Sequence, residues 1–318
     1  MNINICQVSL NRDIPLIIEN FKNFKKFYKN VNFFIICPKI QLDEFKQKIN
    51  FDEIKIISEE KFLEFQKFEM IFKNLSEEIQ YREQFNKRLN WYYQQALKIT
   101  FSFNFIKETG QNIVIWDADT IILKKISFFK QDVSVKYGNF FEFHKAYYIT
   151  SEYILKRLPS YYISFLNQFI AITKSEYIFF VENFLKEKSQ NISTGEKISE
   201  LIFSSVFNKH KIYNGSLFSE YELIGLSNYL FRKEKQKPIL FLRIGLDGML
   251  NDSQKIIASL FGYKHVTYEH THPNEKSFGM LSRIQSWRGF LKILFKNFVK
   301  FYLRYFKHIL MYNFYRSK

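Results

Sequence analysis

The first half of the chain alternates short apolar runs with longer runs of mixed polarity. The short runs are NINICQVS, VNFFIICP and EIKIIS, and between them lie IPLIIENFKNFKKFY and a polar segment that begins at Leu42. The short runs predict β-strands and the longer ones predict helices. Alternation of this kind favours an α/β, Rossmann-type domain with a central, mainly parallel sheet.

A long helix and a central strand are predicted next. Residues 76–107 have a helical pattern, and Gly110 suits a helix C-terminal cap. The run NIVIW, residues 112–116, is apolar on both faces, as expected for a central strand. Asp117 would then lie where that strand ends, at the edge where open α/β sheets bind ligands.

Two carboxylates interrupt the apolar segment NIVIWDADTIIL, residues 112–123. Asp117 and Asp119 are two residues apart, so on an extended chain they point to the same side and can share one divalent cation. Without a cation, two adjacent buried carboxylates are costly. A solvated turn is the alternative, because Asp is common in turns. The apolar residues on both sides, Trp116 among them, favour the cation site.

The net charge of +16 is unevenly distributed along the 318 residues. No acidic residue follows Glu275, whereas ten Lys and Arg residues do, which leaves +6 on residues 1–275. The C-terminal segment is therefore the part that would meet an anionic partner.

Other features favour a cytoplasmic protein. Cys6 and Cys37 lie in apolar, strand-like runs, which predicts buried, reduced thiols rather than a disulfide. The N-terminal residues lack the pattern of a signal peptide, and no uncharged apolar run is long enough to span a bilayer. The 47% hydrophobic content is sufficient for a full core.

The aspartate motif resembles two enzyme families. It is similar to the D-x-D of GT-A-fold nucleotide-sugar glycosyltransferases, whose aspartates hold a metal on the donor diphosphate, and to the D-x-D-x-T of haloacid-dehalogenase-like phosphatases. The phosphatase motif generally lies on the first strand, whereas about three β/α units precede Asp117. The later GLDGMLND stretch, with Asp247 and Asp252, departs from the second phosphatase motif by an inserted residue. The order of elements therefore favours the glycosyltransferase.

Two further stretches resemble a group of bacterial GT-A-like proteins of largely uncharacterised activity. NWYYQQALKI is similar to their W-x-x-Q-Q-x-x-K segment, which implies that Gln95 and Lys98 face the donor phosphates or the metal-site loop. An amphipathic helix with a solvated polar face is the alternative. LFSEYELIG is similar to their S-E-Y-E element. Either glutamate could orient or deprotonate an acceptor hydroxyl, and we favour Glu222 over Glu220. An ordinary surface loop is the alternative there.

The same resemblance implies a third metal ligand from the C-terminal side of the domain. The stretch YEHTHP offers His270 and His272. A neutral imidazole is an acceptable partner for manganese beside two carboxylates, and we choose His272. Exposed, non-liganding histidines are the alternative. Acceptor recognition near Gln168 is not defined, because LNQFIAITKSEY lacks the histidine expected there.

The C-terminal segment spaces six basic side chains four residues apart along an aromatic and apolar helix: Arg288, Lys292, Lys296, Lys300, Arg304 and His308. Such a helix fits the interface of an anionic membrane, where long cations reach the headgroups. Nucleic-acid binding is the rival interpretation, but no recognised motif accompanies the segment, so no nucleic acid is expected. Packing on its own domain is another alternative.

Together these features predict a GT-A-like domain at residues 1–275 and a basic membrane-association segment at 276–318, with 287–318 on the membrane. The predicted function is transfer of a sugar from a nucleotide diphosphate donor to a glycan or glycolipid acceptor, such as a lipooligosaccharide or capsule precursor. Mn²⁺ or Mg²⁺ would be the cofactor, on the inner face of the cytoplasmic membrane. The alternatives are a phosphatase with Asp117 as nucleophile, and a non-catalytic membrane or nucleic-acid binding protein.

Overall fold

The computed structural model describes residues 2–138, 144–157, 164–185, 193–211, 215–232, 239–240, 243–246, 249–268 and 286–316, with side chains described except at 239–240, 243–246, 300–301 and 304–316. The strands are β1 (Ile3–Val8), β2 (Val31–Cys37), β3 (Ile54–Ser58), β4 (Ile113–Trp116), β5 (Thr120–Ile122), β6 (Phe129–Lys130), β7 (Val133–Ser134), β8 (Tyr137–Gly138), β9 (Phe169–Ile172), β10 (Ile239–Leu240), β11 (Arg243–Leu246) and β12 (His265–Tyr268). The α-helices are α1 (Ile14–Phe27), α2 (Leu42–Lys48), α3 (Phe65–Leu75), α4 (Arg82–Asn86), α5 (Leu89–Thr109), α6 (Lys145–Leu155), α7 (Lys174–Phe184), α8 (Thr194–Lys209), α9 (Glu220–Phe231), α10 (Asp252–Leu260) and α11 (Trp287–Arg316).

Five strands form a central sheet in the order β3-β2-β1-β4-β9. The first four run parallel, and β9 pairs antiparallel with β4, with Trp116 opposite Phe169. The predicted α/β class and mainly parallel sheet are confirmed. The chain builds outward from β1 to β3 and then returns to place β4 on the other side of β1. A reversal of strand order therefore lies between β1 and β4.

Alternate residues of the central strands enter two apolar cores. Ile5, Val114 and Trp116 belong to the core shared with α1, whereas Cys6 and Ile115 belong to the core shared with α5, α8 and α9. Burial on both faces explains why these strands are apolar at consecutive positions. The two cysteines are buried and free, which confirms the predicted thiols.

The helix predicted over residues 76–107 is interrupted. It begins at Leu89, after the separate helices α3 and α4, and ends as predicted at Gly110, whose φ is +67°. The break lets the rings of Phe72 and Phe85 stack with centroids 5.5 Å apart. On one straight helix these residues would lie about 20 Å apart. Aromatic packing therefore outweighs the helical pattern at this point.

A smaller sheet, β11-β12-β5, extends the aspartate turn toward the C-terminal part of the chain. Its strand β5 pairs antiparallel with β12, and Ile121 enters a third core together with Tyr263. From α11, Phe290 and Leu294 are buried in the same core. The smaller sheet thus joins the residues after Asp119 to the C-terminal helix.

None of the helices in the described part of the chain is long and apolar enough to cross a membrane. The predicted boundary between residues 275 and 276 lies outside the described residues.

Candidate functional site

The aspartate motif forms a tight turn at the carboxyl end of β4. The backbone N–H of Asp117 donates to the Gln168 carbonyl at 3.0 Å, and the N–H of Thr120 donates back to the Asp117 carbonyl at 3.2 Å. The Trp116 indole donates to the Thr120 carbonyl at 2.7 Å. The Gln7 side chain, near the end of β1, donates to the Asp117 carbonyl at 3.4 Å. The turn therefore lies at the β1–β4 reversal, where open α/β sheets bind ligands.

A buried lysine links Asp117 to a helix distant in sequence. Lys98, from α5, forms ion pairs with Asp117 Oδ1 and with Glu220 Oε1, the latter at 2.8 Å. The Tyr221 hydroxyl also donates to Asp117 Oδ1, at 2.5 Å. The Lys98 and Glu220 side chains are buried, and that of Asp117 is 17% exposed. We call Lys98, Asp117, Glu220 and Tyr221 the charged cluster.

Two helix segments hold the charged cluster in position. Gln95 lies three residues before Lys98 on α5, and its side-chain oxygen accepts the backbone N–H of Glu220 at 3.1 Å. Ser219 caps α9 by accepting the N–H of Glu222, so Glu220 and Tyr221 stand at the first turn of that helix. Of the two side chains predicted from the NWYYQQALKI segment, Lys98 contacts Asp117, whereas Gln95 hydrogen-bonds to the backbone of Glu220.

The charged cluster contains more negative than positive groups. Burial alone would lower the pKa of Lys98, but Asp117 and Glu220 together raise it above its usual value. Burial raises the pKa of Glu220, Lys98 opposes the shift, and Asp117 adds to it. Since two carboxylates share one ammonium, the site carries an excess of negative charge.

Asp119 adds a further carboxylate to the same edge. Burial raises the pKa of its carboxyl to about 8, and the negative charges of Asp117 and Asp13 contribute to the shift. Its Oδ1 accepts the Thr120 hydroxyl at 3.2 Å, while its backbone carbonyl accepts the Tyr268 N–H of β12 at 2.9 Å. The smaller sheet therefore fixes the backbone of Asp119, while its side chain lies near the carboxylates of Asp117 and Asp13.

The residues of this edge fit a divalent cation of the Mg²⁺ or Mn²⁺ type. Such ions are commonly held by one or two carboxylates together with water and substrate phosphates. Asp117 and Asp119 supply two carboxylates. A bound cation would offset the negative charge that helps to raise the pKa of Asp119. Among the residues that the structure describes, no group of three His, Cys, Asp or Glu side chains is arranged to hold a metal ion. His270 and His272 lie outside those residues.

Glu222 is not brought into the charged cluster. Because α9 is helical from Glu220 onward, residues two apart point in different directions. One oxygen of Glu222 accepts the Ser164 hydroxyl at 2.9 Å and the Phe165 N–H at 3.2 Å. Burial raises the pKa of its carboxyl to about 7. Glu222 thus holds the segment before β9, the same segment whose Gln168 carbonyl supports Asp117.

Sequence reasoning missed the roles of Glu220, Tyr221 and Asp13. The spacing of Ser219 and Glu222 is that of a helix N-terminal capping box, a signal that predicts a helix start at Glu220. On that basis Glu220 and Glu222 would diverge. No comparable signal predicts that Asp13, which immediately precedes α1, lies near a turn more than a hundred residues later.

Fold and site together define an α/β protein in which a lysine bridges carboxylates at the reversal of the strand order. The chain belongs to the family of unknown function DUF6492, whose model matches residues 12–191. The matched range includes Lys98, Asp117 and Asp119, and it ends before α9. Comparison with curated proteins gives no significant match.

Proposed function

We propose that this chain is a metal-dependent glycosyltransferase of GT-A type, which moves a sugar from a nucleotide diphosphate donor to a hydroxyl of a cell-surface glycan precursor. The observation that carries the proposal is the pair Asp117 and Asp119 at the β1–β4 reversal, next to a buried lysine. A nucleotide would lie over the carboxyl ends of the parallel strands, with its diphosphate toward the aspartates.

Each residue of the site has a distinct part in this proposal. Asp117 and Asp119 would hold the cation, which when bound supplies Lewis-acid stabilisation of charge on the departing diphosphate. Lys98 fixes one oxygen of Asp117 and adds positive potential at the same edge. Gln95 and Tyr221 hold this arrangement from α5 and α9.

Glu222 remains our candidate for the acceptor base. A pKa near 7 suits a group that accepts a proton at neutral pH. Glu222 accepts the Ser164 hydroxyl on the segment that leads into β9, and we propose that the acceptor binds on this side. Glu222→Gln should therefore slow transfer to the acceptor more than it slows hydrolysis of the donor.

The acceptor is proposed to be lipid-linked, and the protein to attach peripherally to the inner face of the cytoplasmic membrane. The support is the segment 287–318, with its basic residues and its aromatic and aliphatic side chains. Nucleic acid is not a proposed partner.

Ligand-induced stabilisation tests the donor and the metal together. We expect a nucleoside diphosphate with Mn²⁺ to raise the melting temperature more than either does alone, because ligands stabilise the state they bind. Asp119→Asn should abolish the Mn²⁺-dependent part and slow donor turnover by about a hundredfold or more. Asp52→Asn, at an exposed aspartate before β3, is the control and should behave as wild type. If no nucleoside diphosphate or its sugar shifts melting with Mn²⁺, the proposal is wrong.

A phosphatase is the second candidate, and the ion pair of Lys98 with Asp117 favours it, since a cation beside a nucleophilic carboxylate would assist attack on phosphate. Incubation with a small phosphate ester and Mg²⁺ distinguishes the two. If a phosphoryl group is trapped on Asp117 and turnover needs no nucleotide sugar, the protein is a phosphatase and the transferase proposal is wrong.

A further inference from the structure

A set of exposed apolar side chains lies where α10 meets α11. Side chains this apolar are unusual on a surface when they are adjacent to one another. Leu260 is 77% exposed and Ile256 61% exposed on α10, while Phe295 and Val299 on α11 are each about half exposed. We call the set the α10–α11 face, and its members are Ile256, Leu260, Leu291, Phe295, Val299 and Tyr302.

The two helices pack against each other on the same core. The ring of Phe261, at the end of α10, contacts the rings of Phe295 and Phe298 with centroids 5.5 Å and 5.7 Å away. From the opposite side of α11, Phe290 and Leu294 are buried in the third core. Leu291 and Phe295 each directly follow one of these buried residues, so each points about 100° away from it, toward the outside of α11. Because both helices pack on the same core and touch at Phe261, their exposed apolar side chains lie on the outer sides of one helix pair.

Cations border this face on two sides. Arg288, Lys292 and Lys296 are exposed along α11, one residue beyond Trp287, Leu291 and Phe295 in the helix. At the other side, Lys124 donates to the Ser259 carbonyl at 3.1 Å, at the end of α10. Partial burial and the charge of Lys124 lower the pKa of the neighbouring Lys264. An anionic surface would complement both borders.

We propose that the α10–α11 face binds an anionic lipid bilayer, with its apolar side chains in the interfacial region and Arg288, Lys292 and Lys296 on the headgroups. Both helices would then lie in the plane of the membrane. Membrane binding by this face would present the candidate site to a lipid-linked acceptor, and only this role rests on the proposed function.

The pattern of charge favours lipid over a second copy of the chain. A symmetric dimer through this face would bring the basic row of one copy against that of the other. Asp252, at the start of α10, is exposed and acidic, but no acidic residue follows Glu275, so a single carboxylate would face Arg288, Lys292 and Lys296. A bilayer, in contrast, offers hydrocarbon and anionic headgroups within a few ångströms of each other, which matches apolar and basic positions one residue apart.

The face is connected to the candidate site through the third core. Ile121, two residues after Asp119, is buried in the same core as Phe290 and Leu294. The Tyr263 hydroxyl donates to the Leu294 carbonyl at 3.1 Å, which ties α11 to the segment before β12. Docking through the α10–α11 face would therefore fix the orientation of the aspartate turn relative to the bilayer.

Sedimentation of the full chain with vesicles tests the proposal. We expect binding to phosphatidylcholine vesicles that contain phosphatidylglycerol, weaker binding to phosphatidylcholine alone, and loss of binding as salt is raised. The double variant Ile256→Glu with Leu260→Glu should bind about tenfold or more weakly, although α10 lies outside the basic segment. Lys292→Glu with Lys296→Glu should weaken binding to the anionic vesicles selectively.

Met70→Glu is the matched control, because Met70 is 57% exposed on α3, which packs in a different core. It should bind vesicles as wild type does, and unchanged melting temperatures would show that all variants are folded. If the α10 variant binds as tightly as wild type, α10 is not part of the surface and the proposal is wrong. If Leu260→Glu instead abolishes a concentration-dependent dimer and vesicles do not bind, the occupant is a second copy. Vesicle binding requires no catalysis, so failure of the proposed transferase would be seen separately.

Discussion

Lys98 is the positive charge that Asp117 and the buried Glu220 share, and its position explains why Asp117 can be held at the end of an apolar strand. The ammonium contacts Asp117 and Glu220, while the Tyr221 hydroxyl donates to the same Asp117 oxygen. Removing one partner of such a set leaves uncompensated charge in a poorly solvated place, which costs more than the set itself contributes.

Replacement of Lys98 by Met should destabilise the protein by about 3–5 kcal/mol, because it leaves Asp117 and Glu220 facing each other without a cation. Urea unfolding measures the effect. Glu220→Gln added to Lys98→Met should recover part of the loss, since it removes one of the two repelling charges. Equal loss in the single and double variants would contradict the shared-charge interpretation.

Glu222 should give the protein a distinct pH dependence. Burial raises its pKa from 4.5 to about 7, so between these values the folded state holds a proton that the unfolded state has lost. The contribution of Glu222 to the free energy of unfolding is therefore fully present below about pH 4.5, and it is lost as the pH rises to about 7. Glu222→Gln lacks the dependence and should gain up to about 3 kcal/mol relative to wild type between about pH 5 and pH 8. Urea unfolding of both proteins at about pH 5 and pH 8 measures the effect. If the difference in unfolding free energy between the variant and wild type is the same at both pH values, the prediction is wrong.

At the scale of elements, α9 connects the charged cluster to the segment before β9. Its first turn supplies Glu220 and Tyr221 to the charged cluster, and Glu222 holds the segment before β9. The helix can approach that segment because Gly225 faces Phe165 without a side chain. A small residue in α9 is thus required for both contacts.

Gly225→Ala should destabilise the protein by about 1–3 kcal/mol, because an added Cβ would overlap Cβ and Cγ of Phe165. Displacement of α9 should also weaken any binding at the charged cluster. Thermal unfolding and ligand-induced stabilisation measure the two effects. Ser227→Ala, at a buried position on the same helix, adds no volume and should stay within about 1 kcal/mol of wild type. A Gly225→Ala variant as stable as wild type would show that the packing of Phe165 can adjust.

At the scale of the whole molecule, the central sheet separates two large apolar cores, and one cysteine lies in each. Cys6 belongs to the core with α5, and Cys37 belongs to the core with α1. Since both strands are central to one sheet, we expect the two cores to unfold together.

The two thiols should therefore react with Ellman's reagent only on unfolding, and at one common rate. Burial raises the pKa of both Cys6 and Cys37 to about 12, which suppresses the reactive thiolate in the folded state. Labelling across a urea series, with Cys6→Ala and Cys37→Ala to separate the thiols, measures the rates. Rapid reaction of one thiol would mean that the two cores open independently.

Much of the α/β half could be predicted from the sequence, because its signals are local. The apolar runs gave β1, β2, β3 and β4, and the helix C-terminal cap at Gly110 was correct. The start of α5 could not be predicted, since it depends on stacking between Phe72 and Phe85 across a turn. The family resemblance, rather than periodicity, predicted that Gln95 and Lys98 lie near the aspartates. Lys98 contacts Asp117, and Gln95 hydrogen-bonds to the backbone of Glu220 instead. Glu220 and Asp13 reach the site only through tertiary packing, which periodicity does not encode.

The antiparallel pairing of β5 with β12 has a consequence for biosynthesis. The hydroxyls of Thr120 and Thr267 are 3.0 Å apart, although they are 147 positions apart in sequence. A ribosome translating this chain therefore releases the aspartate turn long before the strand that anchors it emerges. The first three strands can associate early, but the aspartate turn acquires its final shape only near the end of translation. Nascent chains stalled before β12 should therefore be unable to bind a donor.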